Sequence, residues 1–271
     1  MTGLPPCFIS IPDDTKLLRQ KNTMSNKKLT GKVALVTGGS RGLGAAIAKR
    51  LAQDGADVAL TYTSSPQKAD EVVLAIETAG GRALAIHADS ANAEAVKNAV
   101  TETVKTFGRL DILVNNAGIA TLATIDEFSL DDFDRIIAVN IKGVFVATQE
   151  AVRHIGEGGR IIMIGSVNSD IMPFAGGSVY ALTKGAIASF TRGLARDLGP
   201  RGITVNNIQP GPVDTDMNPA EGSFADTMRS MIALQRYGRS EEVADMVSYL
   251  ASAEAGFVTG ASLKIDGGFA A

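Results

Sequence analysis

Short apolar runs alternate with amphipathic stretches of helical length from Lys32 to the end of the chain. The apolar runs predict strands at residues 33–37, 57–62, 83–88, 110–115, 160–166, 203–209 and 262–266. These runs are continuously apolar rather than strictly alternating, as expected for strands that are buried on both faces. Segments between them, such as "GAAIAKRLAQDG" and "AEAVKNAVTETVKTFG", have the periodicity and length of helices.

The repeated order of strand and helix predicts the fold class. Strands joined through helices form right-handed crossovers and a parallel sheet that is covered by helices on both faces. A chain of 271 residues could form two small domains, but α/β folds of this length are commonly one domain. We therefore expect a single α/β domain over residues 29–271, with a doubly wound sheet of about seven parallel strands. Its ligand would lie at the carboxyl ends of the strands.

Residues 1–28 differ from the rest of the chain in composition and in hydrophobic pattern. They contain three prolines, scattered charges and no sustained periodicity, which predicts a disordered tail. A targeting peptide is the functional alternative, but Asp13, Asp14 and the prolines argue against an amphipathic transit helix. Met24 directly precedes the predicted fold and is an alternative start.

Composition narrows the class of protein further. A formal net charge of −3 gives no general attraction to nucleic acid or to an anionic membrane, so we expect neither as a partner. Cys7 is the single cysteine and cannot form an internal disulfide, and Cys and His residues show no metal-ligand spacing. Neither a spanning helix nor the apolar core of a signal peptide is found. We expect a cytoplasmic protein with no metal.

The segment "TGGSRGLG", residues 37–44, follows the first predicted strand. Gly38, Gly42 and Gly44 lie where the strand must turn into a helix, and their missing side chains let the backbone approach a ligand closely. The first N–H groups of that helix and its positive dipole end suit a pyrophosphate. An ordinary glycine turn is the alternative, but the position after the first strand of a repeating α/β pattern favours nucleotide binding.

Four motifs occur in a characteristic order along the chain. They are "TGGSRGLG", "NNAG" at 115–118, a set formed by Ser166, Tyr180 and Lys184, and "PGPVDT" at 210–215. With these motifs the chain resembles the short-chain dehydrogenases/reductases over roughly residues 30–271. The resemblance implies a Rossmann-type, NAD(P)-dependent oxidoreductase that is usually a homotetramer. It also implies a catalytic set of Asn140, Ser166, Tyr180 and Lys184.

The residue types of this set suit proton transfer. Ser166, at the end of the fifth strand, could hold a carbonyl oxygen, while Tyr180 and Lys184 lie one helical turn apart on the same helix face. A free tyrosine titrates near pH 10, and a neighbouring ammonium together with an oxidised nicotinamide would lower the pKa of Tyr180. Taken singly, Tyr180 could be a packing residue and Lys184 a solvated lysine; the ordered motifs favour the catalytic interpretation.

Asn140 lies within one long predicted helix, "SLDDFDRIIAVNIKGVFVATQEAVRHI", which Ser129 and Asp132 begin as a capping box. A buried amide must find hydrogen-bond partners, and a structural hydrogen bond is one explanation. The resemblance implies another, a local distortion of the helix that positions a water between Lys184 and solvent.

The end of the second strand distinguishes between two cofactors. It reads "LTYTSS" and lacks the carboxylate with which NAD-binding folds hold the ribose 2′-hydroxyl. Arg41 and Ser64 could instead bind a 2′-phosphate, so NADP(H) is predicted over NAD(H); an Arg41 that points to solvent is the alternative. The glycine loop, the end of strand two and what the resemblance implies together give the predicted cofactor-binding residues, which are Gly38, Ser40, Arg41, Gly42, Leu43, Gly44, Ser64, Asp89, Ser90, Asn116, Ala117, Gly118, Tyr180, Lys184, Pro210, Gly211, Val213 and Thr215.

Residues 211–235 are small, polar or methionine-rich, and the resemblance implies that they form a mobile substrate loop. We predict a mainly apolar pocket for a small-molecule carbonyl substrate, partly formed by this loop. Its residues are Ile171, Met172, Phe174, Val213 and Met217.

Three functions are compatible with these patterns. The first is an NADPH-dependent carbonyl reductase acting reversibly on small ketones and secondary alcohols, with Tyr180 as general acid and base. The second is a 3-oxoacyl thioester reductase, since much of the chain resembles 3-oxoacyl-carrier-protein reductases. The segment "GEGG" before strand five lacks the basic residue that many of those carry there. The third is a nucleotide-binding regulator, because "IGSVNSDIMPFAG" and "QPGPVDTDMNPA" resemble a cyclic-di-GMP-binding biofilm-dispersal subgroup.

Overall fold

The computed structural model describes residues 27–271. Residues 1–26, which carry most of the predicted tail, lie outside the described residues. Lys27 and Lys28 are exposed, and the first buried side chain is that of Leu29. The backbone N–H of Leu29 donates to the carbonyl oxygen of Asp54 at 2.9 Å, which joins the start of the described chain to the end of the first helix.

One sheet of seven parallel strands forms the centre of the molecule, in the order β3-β2-β1-β4-β5-β6-β7. The predicted doubly wound α/β fold is confirmed, with strand ends that differ by one or two residues. The strands are β1 (Val33–Val36), β2 (Asp57–Tyr62), β3 (Ala83–His87), β4 (Ile112–Asn115), β5 (Arg160–Ile164), β6 (Thr204–Pro210) and β7 (Ser262–Ile265).

Helices cover both faces of this sheet. They are α1 (Gly42–Gln53), α2 (Pro66–Thr78), α3 (Ala93–Phe107), α4 (Leu130–Ile137), α5 (Val144–Ala151), α6 (Ser178–Leu198), α7 (Ser223–Met231) and α8 (Ser240–Ala251). Helices α1, α2 and α8 pack in one apolar core, and α3, α5 and α6 pack in the other. Within β1, Ala34 and Val36 face the first core while Val33 and Leu35 face the second. A strand with two buried faces needs apolar residues at every position, which explains the continuous runs in the sequence.

The single long helix predicted around Asn140 is wrong. The structure has α4, then a π-helix over Ala138–Gly143, then α5, which ends at Ala151. Ser129 caps α4 as predicted, since its Oγ accepts from the backbone N–H of Asp132 at 3.1 Å. The wider π-turn contains Gly143, where an added Cβ would lie only 2.4 Å from the carbonyl oxygen of Ser90. This segment therefore packs closely against the end of β3, and π-turns of this kind are frequent at functional sites.

The strand order reverses between β1 and β4. The chain proceeds from β1 to β2 and β3 on one side, and from β4 to β7 on the other. Loops that leave the carboxyl ends of β1 and β4 therefore diverge and open a crevice, the usual ligand position in such folds. Within residues 27–271, no helix has both the length and the apolar character needed to cross a membrane.

Candidate active site

A cleft of about 560 Å³ opens along the carboxyl edge of the sheet. Every one of the predicted cofactor-binding residues lines this cleft, and so does Ser166. Asn140 lies behind its wall, buried at 2% exposure. The structure thus brings together residues from segments far apart in the chain, at the position that the strand order implies for a ligand.

The glycine loop between β1 and α1 forms one wall of the cleft. Gly38 and Gly42 have φ angles of +64° and +51°, a conformation that side chains disfavour. At Gly44 an added Cβ would lie 2.2 Å from the carbonyl oxygen of Gly38, so the turn closes only without a side chain. The bare backbone leading into the first turn of α1 suits the pyrophosphate of a dinucleotide.

Asn116 attaches this loop to the end of β4. Its Nδ2 donates to the carbonyl oxygens of Thr37 and Gly38 at 2.9 and 3.0 Å. The hydroxyl of Thr37 accepts from the backbone N–H groups of Asn116 and Ala117, both at 3.0 Å. The side chain of Asn116 therefore shapes the glycine loop, and it leaves mainly backbone at the cleft surface.

The cleft continues to the ends of β2 and β3. Ser64 and Ser90 line it, and the carboxylate of Asp89 accepts from the backbone N–H of Ala91 at 3.0 Å. Arg41 does not point to bulk solvent alone, because its guanidinium lies 3.8 Å from the carboxylate of Asp216. Sequence reasoning missed Asp216, which lines the cleft beside Arg41.

Ser166 and Tyr180 lie at the floor of the cleft. Ser166 follows β5, which ends at Ile164 rather than at residue 166, and its Oγ accepts from the backbone N–H of Asn168 at 3.1 Å. Burial raises the pKa of the Tyr180 phenol, and a hydrogen bond with the Ser166 side chain lowers it by less. Ser166 Oγ also donates to Oδ1 of Asn168 at 3.0 Å, so Ser166 and Tyr180 are neighbours in the cleft, next to the cofactor-lining residues.

Lys184 lies behind Tyr180, one turn further along α6. Its Nζ donates to the carbonyl oxygen of Ile164 at 2.9 Å and lies 5.6 Å from the centre of the Tyr180 ring. Burial lowers the pKa of Lys184 from 10.5 to about 8. The predicted lowering of the Tyr180 pKa by this ammonium together with an oxidised nicotinamide stays a prediction.

Asn140 is held by a loop that follows β4. Its Oδ1 accepts from the backbone N–H of Ile119, and its Nδ2 donates to the carbonyl oxygen of the same residue, both at 2.9 Å. Nδ2 also donates to the hydroxyl of Thr183 at 3.1 Å. A Cβ added at Gly118 would lie 3.5 Å from Asn140 Oδ1 and 3.6 Å from Lys184 Nζ. The predicted structural hydrogen bond is therefore present, and the water relay stays a prediction.

Apolar side chains line the other end of the cleft. Phe174, Val213 and Met217 lie there as predicted, but the prediction for Ile171 and Met172 is wrong. Ile171 packs into a small core with Val167 and Met228, and Met172 fills the space beside Gly177. Apolar residues that sequence reasoning missed also line this end: Leu122, Phe224, Met228 and Phe269.

The substrate-loop region contains a helix that was not predicted. Residues 211–222 are mainly irregular, but α7 spans Ser223–Met231. Ala225, Met228 and Ile232 are buried at helical spacing, a signal that the small and polar neighbours concealed. Phe224, on the exposed side of α7, meets Phe174 edge to face with ring centres 5.7 Å apart. This pair joins α7 to the loop after β5 over the apolar end of the cleft.

The fold and the site define an oxidoreductase of the doubly wound, dinucleotide-binding class. The chain belongs to the short-chain dehydrogenase/reductase family. A family model described as enoyl-(acyl carrier protein) reductase matches residues 38–270.

Known proteins that are similar to this chain over nearly its whole length support this assignment. A short-chain dehydrogenase/reductase from Serratia marcescens is 59% identical, with a TM-score of 0.89 over 90% of this chain and 100% of that chain. A short-chain dehydrogenase from Burkholderia cenocepacia, solved in complex with NADP, is 55% identical with the same TM-score and coverage. The cyclic-di-GMP-binding biofilm dispersal mediator protein of Escherichia coli is 51% identical over 89% of this chain and 98% of that protein.

Proposed function

We propose that this protein is an NADPH-dependent carbonyl reductase that acts reversibly on small ketones and secondary alcohols. The observation that carries the proposal is the position of Ser166 and Tyr180. Both side chains line the cleft as neighbours, where the part that suits a dinucleotide meets the apolar end. A carbonyl group held there has a proton donor on its oxygen and an apolar environment on its substituents.

Bound NADPH supplies the hydride for this reaction. Tyr180 donates the proton to the carbonyl oxygen, and the raised pKa of its phenol keeps that proton in place at neutral pH. Ser166 orients the same oxygen by hydrogen bonding. Lys184, anchored on the carbonyl oxygen of Ile164, places positive charge behind the ring and would hold the ribose of the nicotinamide. Asn140 positions the loop that carries Ile119 at the cleft wall.

The choice of NADPH over NADH is supported by charge. The end of β2 lacks a carboxylate for a ribose 2′-hydroxyl, and Arg41 lines the cleft at the glycine loop. A guanidinium suits a phosphate, with which it forms charge-assisted hydrogen bonds. The complex of the Burkholderia cenocepacia relative with NADP agrees with this choice.

A 3-oxoacyl thioester reductase is the closest alternative within the family. The loop before β5 carries Glu157 and the glycines 156, 158 and 159, so it adds negative charge where an acidic carrier protein would need a cation. Free small carbonyl compounds are therefore the favoured substrates.

A regulatory role is a second candidate function. The relative from Escherichia coli is described as a cyclic-di-GMP-binding biofilm dispersal mediator protein, and it shares half of its residues with this chain over almost its full length. Binding of cyclic di-GMP, with or without reductase activity, is the form that this role would take here.

We further propose a cytoplasmic homotetramer. Large apolar side chains are exposed on two separate parts of the surface, and such patches mark interfaces in soluble proteins. The first patch contains Leu130 on α4, Phe145 on α5 and Leu182 on α6; the second contains Tyr249 on α8 and the fully exposed Phe257. Two such patches on one chain suit a tetramer with two kinds of two-fold contact.

The experiment that tests the proposed function follows NADPH absorbance with the purified protein. The panel contains small ketones, aldehydes, a 3-oxoacyl thioester and an enoyl thioester, and calorimetry with cyclic di-GMP runs in parallel. Turnover of ketones or aldehydes with faster reaction from NADPH than from NADH supports the proposal. No turnover of any carbonyl, together with tight cyclic di-GMP binding, supports the regulatory role instead.

A further inference from the structure

Three charged side chains from separate segments meet beside the glycine loop. They are Arg41 at the start of α1, Lys68 in the first turn of α2, and Asp216 in the irregular segment after β6. Oδ2 of Asp216 lies 2.8 Å from Nζ of Lys68 and 3.8 Å from a terminal nitrogen of Arg41. All three side chains are about half exposed, and Arg41 and Asp216 line the cleft while Lys68 adjoins it through Asp216.

The cluster has two cations and one anion. The hydrogen bond and the charge of Lys68, with a smaller contribution from the charge of Arg41, lower the pKa of Asp216, so its carboxylate is ionised at neutral pH. A carboxylate that two cations approach occupies the position in which those cations would bind a phosphate oxygen. Ser64 and Ser65, in the loop between β2 and α2, also line the cleft.

We propose that Arg41 and Lys68 together bind the 2′-phosphate of NADPH, and that Asp216 is an internal competitor for the two cations. This inference rests on the proposed function and deepens its cofactor preference. A phosphate monoester carries more negative charge than a carboxylate and offers three acceptor oxygens, so it replaces Asp216 as the partner of Lys68. Asp216 then lies beside a second anion and opposes its binding. Selectivity for NADPH is therefore the combined effect of two cations, reduced by one carboxylate.

Lys68 and Asp216 should change selectivity in opposite directions. NADH has a hydroxyl where NADPH has the phosphate, so its affinity depends little on either residue. We expect Lys68→Gln to weaken NADPH binding by about three- to tenfold, since one charge-assisted contact to the phosphate is lost. We expect Asp216→Asn to tighten NADPH binding by about two- to fivefold, since the competing charge is removed while the size of the side chain is kept.

The experiment measures Kd for NADPH and for NADH separately, from the fluorescence of the bound nicotinamide, in the wild type and the two variants. The pair Asp57–Arg82 provides matched controls, because its atoms lie 2.9 Å apart at the amino end of β2, away from the cleft. Asp57→Asn and Arg82→Gln change the net charge in the same way as Asp216→Asn and Lys68→Gln. The ratio of the two Kd values should stay at the wild-type value in both controls.

Several results would overturn the inference. Lys68→Gln could leave NADPH binding unchanged, or weaken NADPH and NADH equally. Asp216→Asn could weaken NADPH binding, which would make Asp216 a support for the cations rather than a competitor. Failure of the proposed function gives a different result, since the wild type would then turn over no carbonyl compound of the panel, whatever its Kd for NADPH.

Discussion

Lys184 donates a hydrogen bond from its buried ammonium to the backbone carbonyl oxygen of Ile164, the last residue of β5. The contact joins α6 to the sheet directly behind the ring of Tyr180. A single carbonyl does not replace the water that the ammonium loses, which explains why the pKa of Lys184 falls to about 8.

The low pKa of Lys184 predicts a specific dependence of stability on pH. Below pH 8 the lysine is protonated in both the folded and the unfolded chain, so it adds no pH dependence. Between pH 8 and 10.5 the unfolded chain binds more protons than the folded chain, so stability rises with pH. The full difference corresponds to about 3 kcal/mol as an upper limit.

Urea unfolding of the wild type and of Lys184→Met from pH 7 to 10 measures this effect. The wild type should gain stability relative to the variant over that range, whereas Lys105→Met, at an exposed lysine, should stay parallel to the wild type. A constant difference between wild type and Lys184→Met would show that Lys184 titrates at its ordinary pKa.

Removal of the Tyr180 hydroxyl should stop turnover and preserve the fold. Tyr180→Phe keeps the ring beside Lys184, yet the carbonyl oxygen loses its proton donor. General acid catalysis contributes about 10²- to 10⁴-fold, so kcat should fall by that factor while Kd for NADPH changes little. Ser166→Ala should likewise lower kcat while Kd for NADPH changes little. A Tyr180→Phe protein with near-normal kcat would assign the phenol a packing role only.

Asn140 should affect stability as well as catalysis. Asn140→Ala leaves the half-buried backbone N–H and carbonyl of Ile119 without the partner that now holds both. An unsatisfied buried group costs about 1 to 3 kcal/mol, and the released loop lies at the cleft wall, so KM for the cofactor should also rise. Urea unfolding and steady-state kinetics measure the two effects. A variant as stable as the wild type would show that solvent replaces the amide at no cost.

The exposed apolar side chains on α5 and α6 predict that a charge introduced there disrupts the tetramer. Phe145→Glu or Leu182→Glu should reduce the mass measured by light scattering from that of a tetramer to that of a dimer, because a charge cannot be buried unpaired. Leu74→Glu, at an exposed leucine of α2 outside both patches, should assemble like the wild type. A monomeric wild type would refute the tetramer.

Local patterns in the sequence predicted the parts of the structure that local interactions determine. The continuous apolar runs predicted all seven strands. Every residue of β1 and β4 is buried, which such runs indicate, whereas Ser262 and Lys264 of the edge strand β7 are exposed. The glycines of the first loop and the motif residues after β4 and β5 line the cleft as expected. For these elements, residue type and spacing carry the physical requirement directly.

Contacts between distant segments were not predictable in this way. The π-helix depends on the fit of Gly143 against the carbonyl oxygen of Ser90, which no helical periodicity reveals. Lys68 and Asp216 are 148 positions apart in the chain, and each looks like an ordinary solvated charge. Met172 was expected in the pocket on apolarity alone, but its direction is decided by the space beside Gly177.

Strand β1 contributes alternate residues to two apolar cores, Ala34 and Val36 to one and Val33 and Leu35 to the other. If either core were lost, one face of β1 would be exposed to water, although the other core still needs β1 in place. The two layers of helices therefore cannot melt independently, although they make little contact with one another across the sheet. Calorimetry should therefore show a single heat-absorption peak, in which both layers of helices unfold together.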